Sequence, residues 1–218
     1  MSDTAIRLAK VRDKIARAAK AAQRDPKDVT LIAVTKQRPA ADIGQLLAAG
    51  VTDFGENRVA EAKEKWAPLR AERSNVRLHM IGQLQSNKAG EAVELFDVIH
   101  SLDRHSLLDA LVREGEKAER FPEVFVQVNI GAEEQKGGVA IGELSELIAA
   151  VRASPLPLTG LMAMPPNGSE AGPYFTLLAQ LARRHDVKGL SMGMSGDCAT
   201  AVMLGATAVR IGSALFED

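Results

Sequence analysis

Strand-like runs recur eight times along this chain with helix-like runs between them, and no other feature limits the possible folds as strongly. The runs are "VTLIAVTK" from Val29, "VTDFGEN" from Val51, "VRLHMIG" from Val76, "DVIHSLD" from Asp97, "EVFVQVNI" from Glu123, "LPLTGLMAMP" from Leu156, "GLSMG" from Gly189 and "ATAVRIG" from Ala206. Each is short and rich in aliphatic or β-branched residues, as a buried strand requires. The segments between them, Ala40–Ala49, Glu56–Trp66, Arg104–Glu119, Ile141–Val151 and Tyr174–Arg184, carry Ala, Leu, Glu and Arg at helical spacing.

Such alternation argues for a parallel sheet, because parallel strands need crossover connections and those crossovers cover the sheet with helices. Eight repeats in 218 residues suit an α/β fold of the (β/α)8 or TIM barrel type near its lower size limit. An open doubly wound sheet competes, but it usually carries a Gly-rich turn after its first strand. Here "TKQRP" follows that strand, and no G-x-G-x-x-G occurs. No Pro/Gly/Ser-rich linker or low-complexity tract interrupts the pattern, so residues 1–218 are expected to form one barrel domain. Residues 1–25 form an additional N-terminal helix on it. That helix carries Arg7, Lys10, Arg12, Lys14, Arg17, Lys20 and Arg24, interrupted by Asp3 and Asp13, with Ile6, Val11 and Ile15 as a thin apolar stripe. It is read as a solvated helix packed on the barrel rather than a targeting or membrane-surface segment.

Net charge is −1 and the cations are scattered, which leaves no basic footprint for nucleic acid. The lone Cys198 excludes an internal disulfide, and no long apolar run or signal-peptide core is present. A soluble, cytoplasmic, monomeric protein is therefore expected. A metal site is not, since His79, His100, His105 and His185 do not stand at ligand spacing from carboxylates.

In a barrel of this type the site is built at the C-terminal ends of the strands. The polar residues there are Lys36, Asn57, His79, the loop Gln83 to Lys88, Asn129, the "MGMSGD" run from Met192, and "RIGS" from Arg210, with Met162 to Met164 beside them. The loops after the last two strands commonly make a phosphate pocket, together with a helix N-terminus. Gly193, Ser195 and Gly196 fit its first half and Gly212 and Ser213 its second; taken singly, these glycines could serve only tight turns. Lys36 by itself would be a salt-bridged or solvated rim charge. Facing a dry mouth opposite a phosphate pocket, it becomes an amine able to condense with a carbonyl. An aldehyde and a phosphate on one ligand describe pyridoxal 5'-phosphate, with Arg210 placed to face its ring nitrogen.

Seven stretches in order, "LIAVTK", "FGENRVAE", "HMIGQLQSNK", "VNI" followed by Lys136–Gly137, "GLMAM", "LSMGMSGD" and "GATAVRIGSALF", resemble the pyridoxal phosphate homeostasis proteins. Their barrel is similar to the N-terminal domain of alanine racemase. The resemblance runs from about Val29 to Phe216. It implies that Lys36 is the Schiff-base lysine, that Arg210 partners the ring nitrogen, and that Ser195, Gly212 and Ser213, with backbone of Gly193 and Met194, hold the phosphate. Asn57 is placed beside the ring and Met162 close to the site. Lys136 occupies a position where the family often has a second basic residue, and as a loop lysine it is expected to be solvated. The chain departs from the pattern in its "ALFED" end and at Gln83, and neither departure is expected to reach the cofactor.

Racemisation needs a second base opposite the lysine. The one tyrosine, Tyr174, stands at a helix start where packing is its expected role, and the sequence stops as the barrel closes. The expected function is therefore a non-enzymatic one: binding the cofactor, buffering it and delivering it to apo-enzymes. A residual racemase, or an aldolase whose phosphate belongs to a sugar, is the alternative.

Overall fold

The eight apolar runs all contain a strand, and each strand is shorter than its run because residues at the ends of the run leave the ladder to form loops. In the computed structural model, which describes residues 2–71, 75–133 and 135–217, helix α1 (Asp3–Ala21) precedes β1 (Thr30–Val34) and α2 (Ala40–Ala48). The order continues β2 (Asp53–Glu56), α3 (Val59–Ala71), β3 (Arg77–Met80), α4 (Ala89–Leu95), β4 (Val98–Leu102), α5 (His105–Ala118), β5 (Glu123–Gln127), α6 (Leu144–Ala153), β6 (Leu158–Met162), α7 (Ala171–Arg184), β7 (Gly189–Ser191), α8 (Cys198–Met203), β8 (Ala208–Ile211) and α9 (Ser213–Phe216). Helix α3 starts later than the sequence pattern suggests because Glu56 is the last residue of β2. The short helices α4, α8 and α9 lie in stretches with too few turns to show a period.

The sheet is a closed barrel in sequence order, β1 to β8, and every pairing is parallel. Closure is made by β1 against β8, with Ile32 opposite Arg210 and Ala33 opposite Ile211. Lys36, just past the end of β1, therefore stands next to β8 but nearer the mouth than Arg210. Among the described residues, no helix is long and apolar enough to cross a membrane.

Two apolar regions follow from the strand period of two. The larger lies between the strands and the helices and includes Phe54, Trp66, Phe96 and Phe175, all fully buried. The smaller is inside the barrel: Val98, Phe125 and Met162, with Met164 above them. The Phe125 ring occupies space that two paired glycines leave open, Gly160 opposite Gly189. A Cβ on Gly160 would lie 2.4 Å from Phe125 Cε1 and 2.4 Å from the Gly189 carbonyl oxygen. That vacancy lets Phe125 stack flat on His100, with centroids 4.4 Å apart and planes 9° from parallel.

Helix α1 buries Val11 and Ile15 of the stripe read from the sequence, but not Ile6. Leu8, Val11, Ile15, Ala18 and Ala19 are buried, whereas Ile6 is 40% exposed; the spacing from Leu8 keeps one face and Ile6 falls off it. Arg12 donates to the Gly50 carbonyl at 3.3 Å. Beyond the helix, Arg24 donates to the carbonyls of Val202 and Ala206 at 2.7 and 2.8 Å.

The substitution Gly160→Ala should lower stability by about 1–3 kcal/mol through overpacking against Phe125 and the Gly189 backbone. Urea unfolding measures this directly. A midpoint equal to that of the unaltered chain would show that the barrel interior has slack here.

Candidate functional site

The residues that leave the ladder at the strand ends enclose a cavity of about 810 Å³ at the mouth of the barrel. Seven of the nine residues singled out from the sequence line it: Lys36, Asn57, Met194, Ser195, Arg210, Gly212 and Ser213. Two do not. Met162 is fully buried within the interior apolar cluster, one step below the mouth, and Met164 lines the cavity in its place. Gly193 shapes the loop from behind: its φ is +94°, and a Cβ there would fall 2.5 Å from Ala201 Cβ, so the turn after β7 requires glycine.

Lys36 is exposed at this open mouth rather than enclosed in a dry one, and its ammonium has no hydrogen-bond or ion-pair partner among the described residues. Its neighbours on both sides are held fast. Thr35 donates its hydroxyl to Glu56 Oε1 at 2.7 Å, and its carbonyl accepts from Lys65 Nζ at 2.7 Å. On the other side the Gln37 N–H donates to Glu61 Oε1 at 2.5 Å, and Gln37 holds a φ of +58° that few non-glycine residues adopt. The fully buried Glu56 Oε1 also accepts from Trp66 Nε1 at 2.9 Å and pairs with Lys65 Nζ at 2.8 Å. A lysine on such a pinned turn keeps a free amine while its backbone stays in place.

Opposite, the loops after β7 and β8 are tied together. Asp197 Oδ1 accepts from the Met194 N–H at 2.6 Å, rounding the first loop. Ser195 Oγ accepts from the Ala214 N–H at 3.3 Å, joining that loop to the start of α9. From α1, Lys14 Nζ donates to the Ser195 carbonyl at 3.2 Å. Hydroxyls and backbone of Ser195, Gly196, Gly212 and Ser213 thus line one side of the cavity.

Arg210 enters from below, 4% exposed. Its Nη1–H donates to Ser191 Oγ at 2.6 Å and its Nη2–H to the Ala163 carbonyl at 3.1 Å. Burial pushes the guanidinium down to about 10, with the charge of Asp197 working against the fall, so it stays a cation at neutral pH. Beneath it, polar contacts continue inside the barrel. Ser191 Oγ lies 2.9 Å from His100 Nδ1, His100 Nε2 lies 2.9 Å from His79 Nδ1, and His79 Nε2 lies 3.0 Å from Asp53 Oδ1. Burial, then the charges of His79, Arg210 and Arg77, push His100 well below the usual histidine range. Burial alone would raise the Asp53 carboxyl, but hydrogen bonds from His79 and Thr52 outweigh it and hold that group below its ordinary value.

Several expectations need correcting. Lys136 is not solvated: it lines the cavity, 22% exposed, paired with Glu133 at 2.6 Å and donating to the Pro165 carbonyl at 3.2 Å. Gln83 and the "ALFED" end also reach the cavity, the latter through Phe216 and Glu217. Arg38 stacks over Phe216 at 4.5 Å and pairs with Glu217, which draws that end over the rim. Sequence reasoning missed Gln127 and Gln135 on the wall and Glu56 behind Lys36. Strand parity points to Gln127, which stands two residues beyond Phe125 and so shares its inward face. No group of His, Cys, Asp and Glu suited to a metal ion occurs among the described residues.

The mouth therefore offers a free primary amine, a buried guanidinium and a set of hydroxyls and amides, which together suit a ligand with an electrophilic carbonyl, an acceptor atom and an anionic group. A family model described as "Alanine racemase, N-terminal domain" matches residues 6–218. The chain is 40% identical over 227 residues to the pyridoxal phosphate homeostasis protein of Escherichia coli K12, covering 99% of this chain and 97% of that one. It is 41% identical to the protein of the same name from Pseudomonas aeruginosa, covering 99% and 96%. The structure of PipY from Synechococcus elongatus PCC7942 with pyridoxal phosphate bound superposes with a TM-score of 0.84 at 37% identity, covering 98% of this chain and 100% of that one. The alanine racemase of Acinetobacter baumannii shares the fold at 16% identity, with a TM-score of 0.71; the match covers 94% of this chain and 59% of that one.

Because His100 titrates lower in the folded chain than in the unfolded one, the unfolded state binds more protons just below the ordinary histidine value. The stability this group contributes is complete above about pH 6.5 and is lost as pH falls below it, with a slope of up to about 1.4 kcal/mol per pH unit. Chemical denaturation at a series of pH values reads that slope, and His100→Asn should flatten it. An unchanged slope in the variant would assign the loss to other groups.

Proposed function

We propose, from the premise that this chain belongs to the alanine racemase N-terminal domain family, that it binds pyridoxal 5'-phosphate at the barrel mouth and serves its homeostasis as a cytoplasmic reservoir rather than as a catalyst. The observation that carries this reading is the amine of Lys36, without a partner among the described residues, on one wall of a cavity that also holds Arg210 and the Ser195 and Ser213 hydroxyls. When bound, the cofactor supplies an aldehyde and an electron-withdrawing ring. Lys36 would hold the aldehyde covalently. Ser195 and Ser213, with backbone of Met194, Gly196 and Gly212, would hold the phosphate, and Asn57 would flank the ring. Arg210, fixed by Ser191 and the Ala163 carbonyl, would offer an N–H to the ring nitrogen.

An arginine in that place disfavours a proton on the nitrogen and so weakens the ring as an electron sink. A second base is also wanting. Among the described residues that line the cavity, Lys136 is tied to Glu133 and Glu217 to Arg38. Tyr174 lies in α7, packed against the main core. An open mouth admits water, which lowers the electrostatic advantage of any remaining base. The arrangement favours retention and release, with apo-forms of cofactor-dependent enzymes as recipients.

Borohydride reduction of the yellow, loaded chain should fix one pyridoxyl group on Lys36, read by peptide mass mapping, and Lys36→Ala should lose it. A label confined to Lys136 or to exposed surface lysines would refute the assignment. Ser195→Ala or Ser213→Ala should weaken retention by about tenfold through loss of one charge-assisted hydrogen bond, and dephosphorylated pyridoxal should bind more weakly than the phosphate ester.

Incubation of the loaded chain with L-alanine should yield negligible D-alanine, while an added apo-enzyme should recover activity by drawing cofactor from it. Turnover that disappears in Lys36→Ala would restore the enzymatic reading.

A further inference from the structure

The contacts beneath Arg210 admit only one direction of hydrogen bonding. A guanidinium can only donate, so Ser191 Oγ accepts from Arg210. Among the described residues, the other hydrogen-bond partner of that hydroxyl is His100 Nδ1. The Ser191 O–H therefore points at His100 Nδ1, which must be the bare, accepting nitrogen. His100 is fully buried, stacked on Phe125, with Arg210 and Arg77 among the charges around it. These surroundings keep it a neutral ring, and its proton resides on Nε2 and is donated to His79 Nδ1. His79 must then carry its own proton on Nε2, where Asp53 Oδ1 accepts it.

Asp53 stands at the start of β2, and its surroundings lie at the opposite end of the barrel from the mouth. It lines a separate cavity of about 440 Å³ with Val29, Thr30 and Val51. The charged groups around the lower end are Asp53, Arg12 and Lys27, which line that cavity, and Arg77, paired with Glu123 at 2.8 Å; at the upper end they are Arg210 and Asp197.

We propose that Asp53, His79, His100 and Ser191 are positioning residues, a hydrogen-bonded file of single polarity that crosses the barrel interior and fixes Arg210 as a donor toward the mouth. The file starts on a cation and ends on an anion, so every donor in it has an acceptor and the polarisation of each bond reinforces the next. Reversing it would direct two donors at the Ser191 oxygen and leave the hydroxyl proton without an acceptor in the barrel interior. The inference rests on the proposed function only in naming what Arg210 faces; the polarity of the file belongs to the chain alone.

The test begins without cofactor. Long-range nitrogen–proton correlation spectra of the histidine rings should show His79 and His100 both as Nε2–H tautomers, with His100 unchanged from about pH 6 to about pH 8. Asp53→Ala, which removes the terminal acceptor, should leave both rings as Nε2–H tautomers, because Arg210 and Ser191 still fix the direction from the other end. In the loaded chain Ser191→Ala should release cofactor about tenfold faster, the effect of losing one hydrogen bond to a charged group. An Nδ1–H or doubly protonated His100 at neutral pH in the unaltered chain would overturn the proposal, whether or not any variant folds; so would a release rate unmoved by Ser191→Ala in a folded variant. Because the tautomers are read without cofactor, an unlabelled Lys36 after borohydride would remove the proposed function and leave the file standing, and the reverse pair of results would remove the file alone.

Discussion

A guanidinium buried at the base of a barrel mouth can be tolerated only if its donors are met, and much of the interior architecture follows from that demand. Arg210 is satisfied from the side by the Ala163 carbonyl and from below by Ser191. Ser191 needs His100, His100 needs His79, and His79 needs Asp53. Removing one partner from such a set leaves a buried polar group without a bond, which costs about 1–3 kcal/mol. The apolar cluster of Val98, Phe125 and Met162 excludes water from the same space, and the glycines at 160 and 189 exist there because the Phe125 ring must lie against His100. An interior that could have been filled by aliphatic side chains is instead organised around one cation.

The opposite wall is solved differently. Lys36 is left bare, while order is imposed on its backbone by a buried carboxylate, Glu56, that gathers Thr35, Trp66 and Lys65. Exposure and fixity are thereby divided between residues: among the described residues it is the neighbours of Lys36, not its own side chain, that bear the contacts. The β7 and β8 loops follow the same logic. There Asp197, Lys14 and the Ala214 amide hold the backbone while Ser213 stays open to the mouth.

The barrel was legible because alternation of period-two and period-3.6 segments survives in the residue types themselves, and the site because a barrel places it at the strand ends. What the sequence concealed depends on packing. Met162 and Met164 share an inward face, and only the depth of the cavity floor decides which of them it exposes. Ile6 looked like part of the α1 stripe until Leu8 proved to set its phase. Lys136 looked solvated because an ion pair with Glu133 and a bond to the Pro165 carbonyl, 29 positions away in the chain, leave no trace in composition. His79 and His100 stand on neighbouring strands, but strand parity alone could not say that their rings meet each other inside the barrel.

The site also lies across a seam. Lys36 follows the first strand and Arg210 is in the last, and these strands pair from Thr30 opposite Ala208 to Ala33 opposite Ile211. That pairing joins the most distant strands of the chain, so its loop-closure entropy makes it the least local event in folding. A partly assembled barrel holds the amine and the guanidinium apart, and anything that bridges them acts as a rivet on the last joint to form. Occupancy then stabilises the native state by mass action and slows the opening of this joint in particular. The resistance of the chain to unfolding is thereby tied to the amount of ligand around it.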